Sequence, residues 1–364
     1  MNKFLPLFLF LQYALLQLSG CSIARYPTGD ISKNPKAVLM ELKSIKDYEK
    51  IFSGVKTEPI PGQNTVKITM SGLKPVIGSI ELGSNKNFSA KYHRSLINQA
   101  PNVFIIVEFP NGRKYTAYLD TGCPGYGILT SDIVLDNKLA VLPSGPLIQF
   151  SGVSGICYIP VLNIGPAQIK DGIAFYDEQQ WQFRVLNFPI YKHSALILGR
   201  DFIKSFDYVM FDNVHKKAVF SKEGAFVPDN PQLWSSYHFF EDPNGGNTIV
   251  VKIPIAGKLF EVAFDSCGDK PGLSLSQKHW QTIEPELVVK RLRKSNVYKY
   301  QSGRKSYQKA TISEISIGDK KLRNVDVIID NEPEGYSIFS LGYFQDTTVV
   351  LDYVNKLFWI KKAK

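Results

Sequence analysis

The sequence predicts a mainly β protein built from two similar halves behind a short N-terminal α/β extension. Three observations carry that prediction. Gly, Pro, Tyr and Phe are plentiful (27, 21, 18 and 23 of 364 residues) and the apolar runs are short, which favours strands and turns over long helices. An apolar hairpin ends in a carboxylate at Asp120, and a second hairpin delivers Asp265, 145 residues later. Landmarks then recur in order around the two: Gly127-Ile128 with Gly272-Leu273, Ser131 with Ser276, Ile164-Gly165 with Ile317-Gly318, Ile197-Leu198-Gly199 with Ser340-Leu341-Gly342, and Phe211-Asp212 with Leu351-Asp352. Recurrence at so many points indicates an internal duplication over about residues 102–221 and 247–362.

Bulk properties agree. A chain of 364 residues has room for two ordinary domains. With 44% hydrophobic and 21% charged residues, neither a disordered chain nor a membrane-spanning bundle is expected. The formal charge of +10 suits contact with anionic surfaces or substrates.

Residues 1–20 read as an export signal, with Lys3 as the positive start and Phe4 to Leu18 as the apolar core. That core is shorter than the roughly 20 residues needed to span a bilayer. It ends in Leu18-Ser19-Gly20-Cys21, which resembles the bacterial lipobox. The resemblance implies lipidation at Cys21 and an anchor in the bacterial cell envelope, and Ser22 resembles the outer-membrane sorting pattern. Residues 21–100 are expected to be a tether and extension. Residues 23–35 form the tether. Val38, Leu42, Ile45, Tyr48 and Phe52 mark one face of a helix over 36–52. Strands follow at Thr65–Ser71 and Ile77–Leu82.

The first half, residues 101–222, starts with strands Val103–Phe109 and Lys114–Leu119 around a Pro110-Asn111-Gly112 turn. Ser131 is placed to cap a short helix over Asp132–Leu135. Leu147–Phe150 and Cys157–Leu162 read as a hairpin with Ser151, Gly152, Val153, Ser154 and Gly155 at its tip. Gly152-Val153-Ser154-Gly155 is one residue short of a nucleophile elbow, and no helix pattern follows, so a serine hydrolase is excluded. Residues 223–246, with Pro228, Pro231, Pro243 and a Gly pair, have linker composition. The second half, residues 247–364, restarts with strands Thr248–Ile253 and Lys258–Phe264.

Asp120-Thr121-Gly122, the later Ile197-Leu198-Gly199 and the altered copy Asp265-Ser266-Cys267-Gly268 together resemble the retropepsin-like and pepsin-like aspartic peptidases. The resemblance implies two acid-protease-like β-barrel lobes related by a pseudo-twofold. It implies Asp120 and Asp265 as the catalytic pair, Thr121, Gly122 and Ser266 as loop supports, and flap residues at 151–155 and at Ser302 and Gly303. It also implies a protein or peptide substrate, no cofactor and no metal, and a monomer. The chemistry fits the residue types: one carboxylate activates water while the other, protonated, supplies the acid. Two such charges about 4 Å apart repel by about 4 kcal/mol at an effective dielectric near 20, so the pair retains a proton.

The expectation is therefore a membrane-anchored aspartic endopeptidase. Cys267 stands where that family has Gly, which leaves open an inactive member that binds peptide or cell-surface ligands in its cleft.

Cys123, Cys157 and Cys267 allow three single disulfide pairings or none, and the sequence does not choose. No His stands beside a Cys in a metal or catalytic motif. Residues 290–309 hold eight cations and no acid, with Tyr298, Tyr300 and Tyr307 interleaved. The stretch reads as a solvated loop and flap edge. Nucleic acid is not an expected partner; an anionic membrane surface or acidic polymer suits an exported protein better.

Overall fold

The computed structural model describes residues 24–27, 56–59, 66–69, 79–83, 86–92, 103–123, 126–143, 153–177, 179–185, 188–193, 196–242, 248–267, 273–299, 303–330 and 337–362. Cys21, the expected helix over 36–52, Ser151, Gly152 and Ser302 lie outside them. The chain is mainly β, as its composition predicts. It divides into two compact units.

The first unit draws on residues 1–73, 128–159 and 174–196. Ala24–Pro27 pairs with Gln179–Val185, which pairs in turn with Phe188–His193. Lys56–Pro59 and Val66–Thr69 form a separate hairpin. Phe175 to Asp177 runs parallel to Ile128 to Thr130, and the helix Ser131–Asp136 follows directly. Two expectations change here. Residues 24–27 are a strand, not tether, because a partner strand satisfies their backbone groups. Val153, Ser154 and Gly155 belong to the strand Val153–Ile164, which pairs with Ala140–Pro143; the expected partner at 147–150 lies outside the described residues. Gly155 pairs with Pro143, so it lies within the ladder and not at a hairpin tip.

The second unit holds one sheet of thirteen strands. In spatial order they are Val289–Lys299, Gly303–Ile317, Lys320–Asp330, Leu273–Ser276, Ser337–Ser340, Lys258–Asp265, Thr248–Ile255, Trp234–Asp242, Leu357–Lys361, Thr348–Asp352, Tyr208–Asp212, Lys217–Ser221 and Asn87–Lys91. Six of them, from 303–317 through 248–255, close into a barrel. The seam is narrow. Ile255 stands opposite Ile317, and the Gly318 and Ala256 amides donate to the carbonyls of Pro254 and Ser316 at 2.7 and 2.9 Å. This closed barrel is what the structure establishes; its being one of two lobes matched across a pseudo-twofold goes beyond that.

Two aromatic groups fill the unit's core. Phe264, Phe339, Phe344 and Phe358 meet with ring centroids 5.0–6.0 Å apart. Phe88, Phe202, Phe206 and Phe220 form the other, with Phe88 stacked on Phe220 at 4.9 Å. Phe88 sits in the N-terminal extension, so part of that extension is built into the sheet through pairing with 217–221.

The stretch read as linker contains the strand Trp234–Asp242, which bridges 248–255 and 357–361. Val289–Lys299 and Gly303–Ile317 pair antiparallel as long strands, not as a loop, and Gly303 stands opposite Lys299 at the far end of the ladder. Ser276 caps the helix Gln277–Ile283 by accepting from the His279 amide at 3.3 Å. Ser276→Ala is expected to cost about 1 kcal/mol in urea unfolding, the usual value of such a cap.

Candidate functional site

Strand ends place both carboxylates. The Lys114–Leu119 strand finishes at Asp120, whose amide donates to the Leu198 carbonyl at 2.9 Å. The apolar Leu196–Leu198 segment therefore runs behind the loop, where its sequence landmark puts it. Asp265 is the last residue of its own strand and lies beside Ser340 of a parallel neighbour. The segments carrying the landmarks at 197–199 and 340–342 thus each support one of the two turns.

The turns are tied by a reciprocal set of bonds between buried residues. The Thr121 amide donates to Ser266 Oγ at 2.9 Å, and the Ser266 amide donates to Thr121 Oγ1 at 2.8 Å. Each hydroxyl then donates onward across the junction: Thr121 Oγ1 to the Phe264 carbonyl at 3.1 Å, and Ser266 Oγ to the Leu119 carbonyl at 2.6 Å. Both side chains are buried, so these groups have no water to fall back on. The grip also rests on the aromatic core, since Phe264 supplies one acceptor.

Within each turn a backbone amide fixes a carboxylate. Asp120 Oδ1 accepts from Gly122 and Cys123 amides at 2.8 and 3.1 Å, and Asp265 Oδ1 accepts from the Cys267 amide at 2.8 Å. The two carboxyls are hydrogen-bonded to each other. Burial first, and the Asp265 charge second, hold the Asp120 carboxyl well above the ordinary carboxylate range. Folding therefore stabilises the protonated form. Stability from this group is complete below the unfolded carboxyl value and falls as pH rises through the higher folded one.

Gly122 is exposed above the pair, and a side chain there would push on both carboxyls: a Cβ would stand 2.9 Å from Asp265 Oδ2 and 3.1 Å from Asp120 Oδ1. Its counterpart Cys267 donates its thiol to the Leu119 carbonyl at 3.3 Å. The amide of Cys267 still serves Asp265 as that of Gly122 serves Asp120, so the substitution leaves the carboxylate in place.

Asp120, Asp265, Thr121, Gly122 and Ser266 therefore come together. Val153, Ser154 and Gly155 lie in a first-unit strand, and Gly303 at the end of the second-unit hairpin.

Sequence reasoning missed Arg200 and Cys123. Arg200 is buried, donating from Nη1 to Thr248 Oγ1 at 2.8 Å and from its amide to the Cys123 carbonyl at 2.9 Å. Burial pulls its guanidinium pKa down. Burial and the Asp120 charge push the Cys123 thiol well up, so it is a poor nucleophile. Nothing in the pattern Leu198-Gly199-Arg200-Asp201 marks the Arg as interior. Cys123, Cys157 and Cys267 form no disulfide.

Comparison with known proteins finds no matching family model and no matching curated protein. Among solved structures the chain is similar to basic 7S globulin from soybean, with a TM-score of 0.47 and 8% identity, covering 77% of this chain and 95% of that one. It is also similar to conglutin gamma, a basic 7S globulin from lupine seeds, with a TM-score of 0.46, 10% identity and the same coverages. Neither is described as a peptidase, and at these scores no function passes from either to this chain.

No family model and no curated protein places the chain among the retropepsin-like and pepsin-like aspartic peptidases, and the expected membership is withdrawn. The membrane-anchored endopeptidase falls with it, its inactive peptide-binding counterpart gains nothing, and the lipoprotein and outer-membrane reading has no support. The physical reason is that Asp-Thr-Gly and its repeated landmarks specify how a strand, a turn and a carboxylate are assembled. They do not specify what the assembly acts on.

Proposed function

We propose that Asp120 and Asp265 form a proton-sharing recognition centre for a neutral polar group, in which the protonated carboxyl donates one hydrogen bond and its ionised partner accepts another. The observation that carries this reading is the direct bond between the two carboxyls, together with the raised proton affinity of Asp120. The backbone amides behind each carboxylate fix its orientation, and the exposed Gly122 leaves the outer side unobstructed. The reading is one of recognition, not of bond cleavage. We further read the two turns as copies from an internal duplication, related by an approximate twofold through the pair. The reciprocal Thr121–Ser266 bonds support this, as do the matching left-handed turns at Gly165 and Gly318, with φ of 56° and 57°.

Carboxyl 13C titration of the Asp side chains tests the centre. Wild type is expected to titrate in two separated steps, with Asp120 contributing to the upper one. Asp265→Asn should move Asp120 down toward the ordinary carboxylate range, because the neighbouring charge is gone. The loss of stability with rising pH that this group causes should then finish at lower pH, because the folded value has dropped. Two independent steps near the ordinary value in wild type would sink the proposal. Glycerol, added as a neutral hydroxyl probe, should perturb both carboxyl resonances. An intact pair that ignores glycerol would leave proton sharing standing and remove the recognition role.

A further inference from the structure

The chain's positive charge is concentrated in one piece of the second unit. Residues 289–309 contain eight cations and no acid, against a net +10 for the whole protein. They fold as the hairpin of Val289–Lys299 and Gly303–Ile317, and the first of these is the end strand of the thirteen-strand sheet. Lys290, Arg291, Arg293 and Lys294 are all exposed on it. Arg293 stands directly opposite Lys309, a like-charge placement that costs sheet stability. Asp326 is engaged by Lys309 at 2.7 Å, and Lys290 reaches the amide oxygen of Asn324, not a carboxylate.

Apolar side chains stand among these cations. Val288 is 70% exposed and Leu292 is 48% exposed. Aliphatic residues left in water among cations suit an interface that is apolar beneath and anionic at its rim. On an end strand, side chains from both faces flank the same open edge, so Leu292 and its Arg neighbours can reach one surface together. We propose that this strand docks the protein on an anionic lipid bilayer, with Val288 and Leu292 entering the headgroup layer while Lys290, Arg291, Arg293 and Lys294 meet lipid phosphates.

Binding of the full chain to vesicles of phosphatidylglycerol mixed with phosphatidylcholine, against pure phosphatidylcholine, tests this. Wild type should prefer the anionic vesicles, and the preference should collapse in high salt. Replacing all four cations by Gln should lower affinity for the anionic vesicles roughly 100-fold or more, at about tenfold or somewhat less per cation. The paired change Arg291→Lys with Arg293→Lys keeps the charge and should keep the binding. Leu292→Ser should weaken it several-fold.

Equal binding of wild type to both vesicle types overturns the proposal. If the Gln variant loses dextran sulfate binding while Leu292→Ser leaves vesicle binding untouched, the partner is an acidic polymer and not a bilayer. If the Gln variant self-associates with vesicle binding unchanged, the cations serve only to keep the sheet's open edge from pairing with another copy.

Discussion

Gly127→Ala is expected to destabilise the second unit by more than about 4 kcal/mol, enough to remove most of a typical domain's stability. A Cβ at this position would lie 1.7 Å from the Ile197 carbonyl oxygen, 2.8 Å from its carbon and 3.3 Å from the Leu198 Cα. All three are backbone atoms, so no side-chain rotation relieves the overlap. The 196–198 segment would have to move, and it holds the Asp120 amide through Leu198 and the Tyr126 carbonyl through Gly199. The carboxyl pair should therefore be disturbed along with the fold. Gly165→Ala is the control: its φ is 56° but nothing stands within 4 Å of its Cβ, so about 1–2 kcal/mol is expected. Urea unfolding of the two variants decides the matter. Midpoint shifts of equal size would show that the close approach at Gly127 does not exist in solution.

Ser266→Ala should cost about 2–4 kcal/mol, the second-largest effect. The change strands the buried Thr121 amide and leaves the Leu119 carbonyl without its hydroxyl donor. Thr121→Val should cost a similar amount for the mirrored reason, since the Ser266 amide and the Phe264 carbonyl lose Thr121 Oγ1. The double variant should be less destabilised than the sum of the two, because each single change already opens the same junction. Ser266→Thr keeps a hydroxyl and should retain most of the stability. Strict additivity in denaturant unfolding would mean that the two turns do not support one another.

The parts of this protein legible in its sequence are those where local pattern and final environment agree. Val103–Phe109, Lys114–Leu119 and the hairpin running into Asp265 alternate or run apolar between turn residues, and they fold as strands with nearly the expected limits. The meeting of Asp120 and Asp265 was legible too, because the sequence landmarks around one recur around the other.

Trp234–Asp242 was not. Its buried residues are Trp234, Phe239 and Asp242, a spacing with no period of two, and neighbouring prolines disguise it as linker. Its strand character comes from the partners on either side. The hairpin at 289–317 was obscured differently: cations on both faces of its first strand erase the apolar signal, while fifteen residues of returning strand impose the pairing. Buried Arg200 gives no local sign, because its environment is assembled from Thr248 and Cys123, both far from it along the chain.

The order of strands in the large sheet bears on how the chain is made. Residues 87–91 wait for 217–221, and 208–212 finds its inner neighbour only in 348–352, almost at the C-terminus. During vectorial synthesis the early strands must therefore leave the ribosome long before their partners exist. Such distant pairing makes for slow maturation and for nascent intermediates that expose apolar surface, the kind of species a cell shields with chaperones.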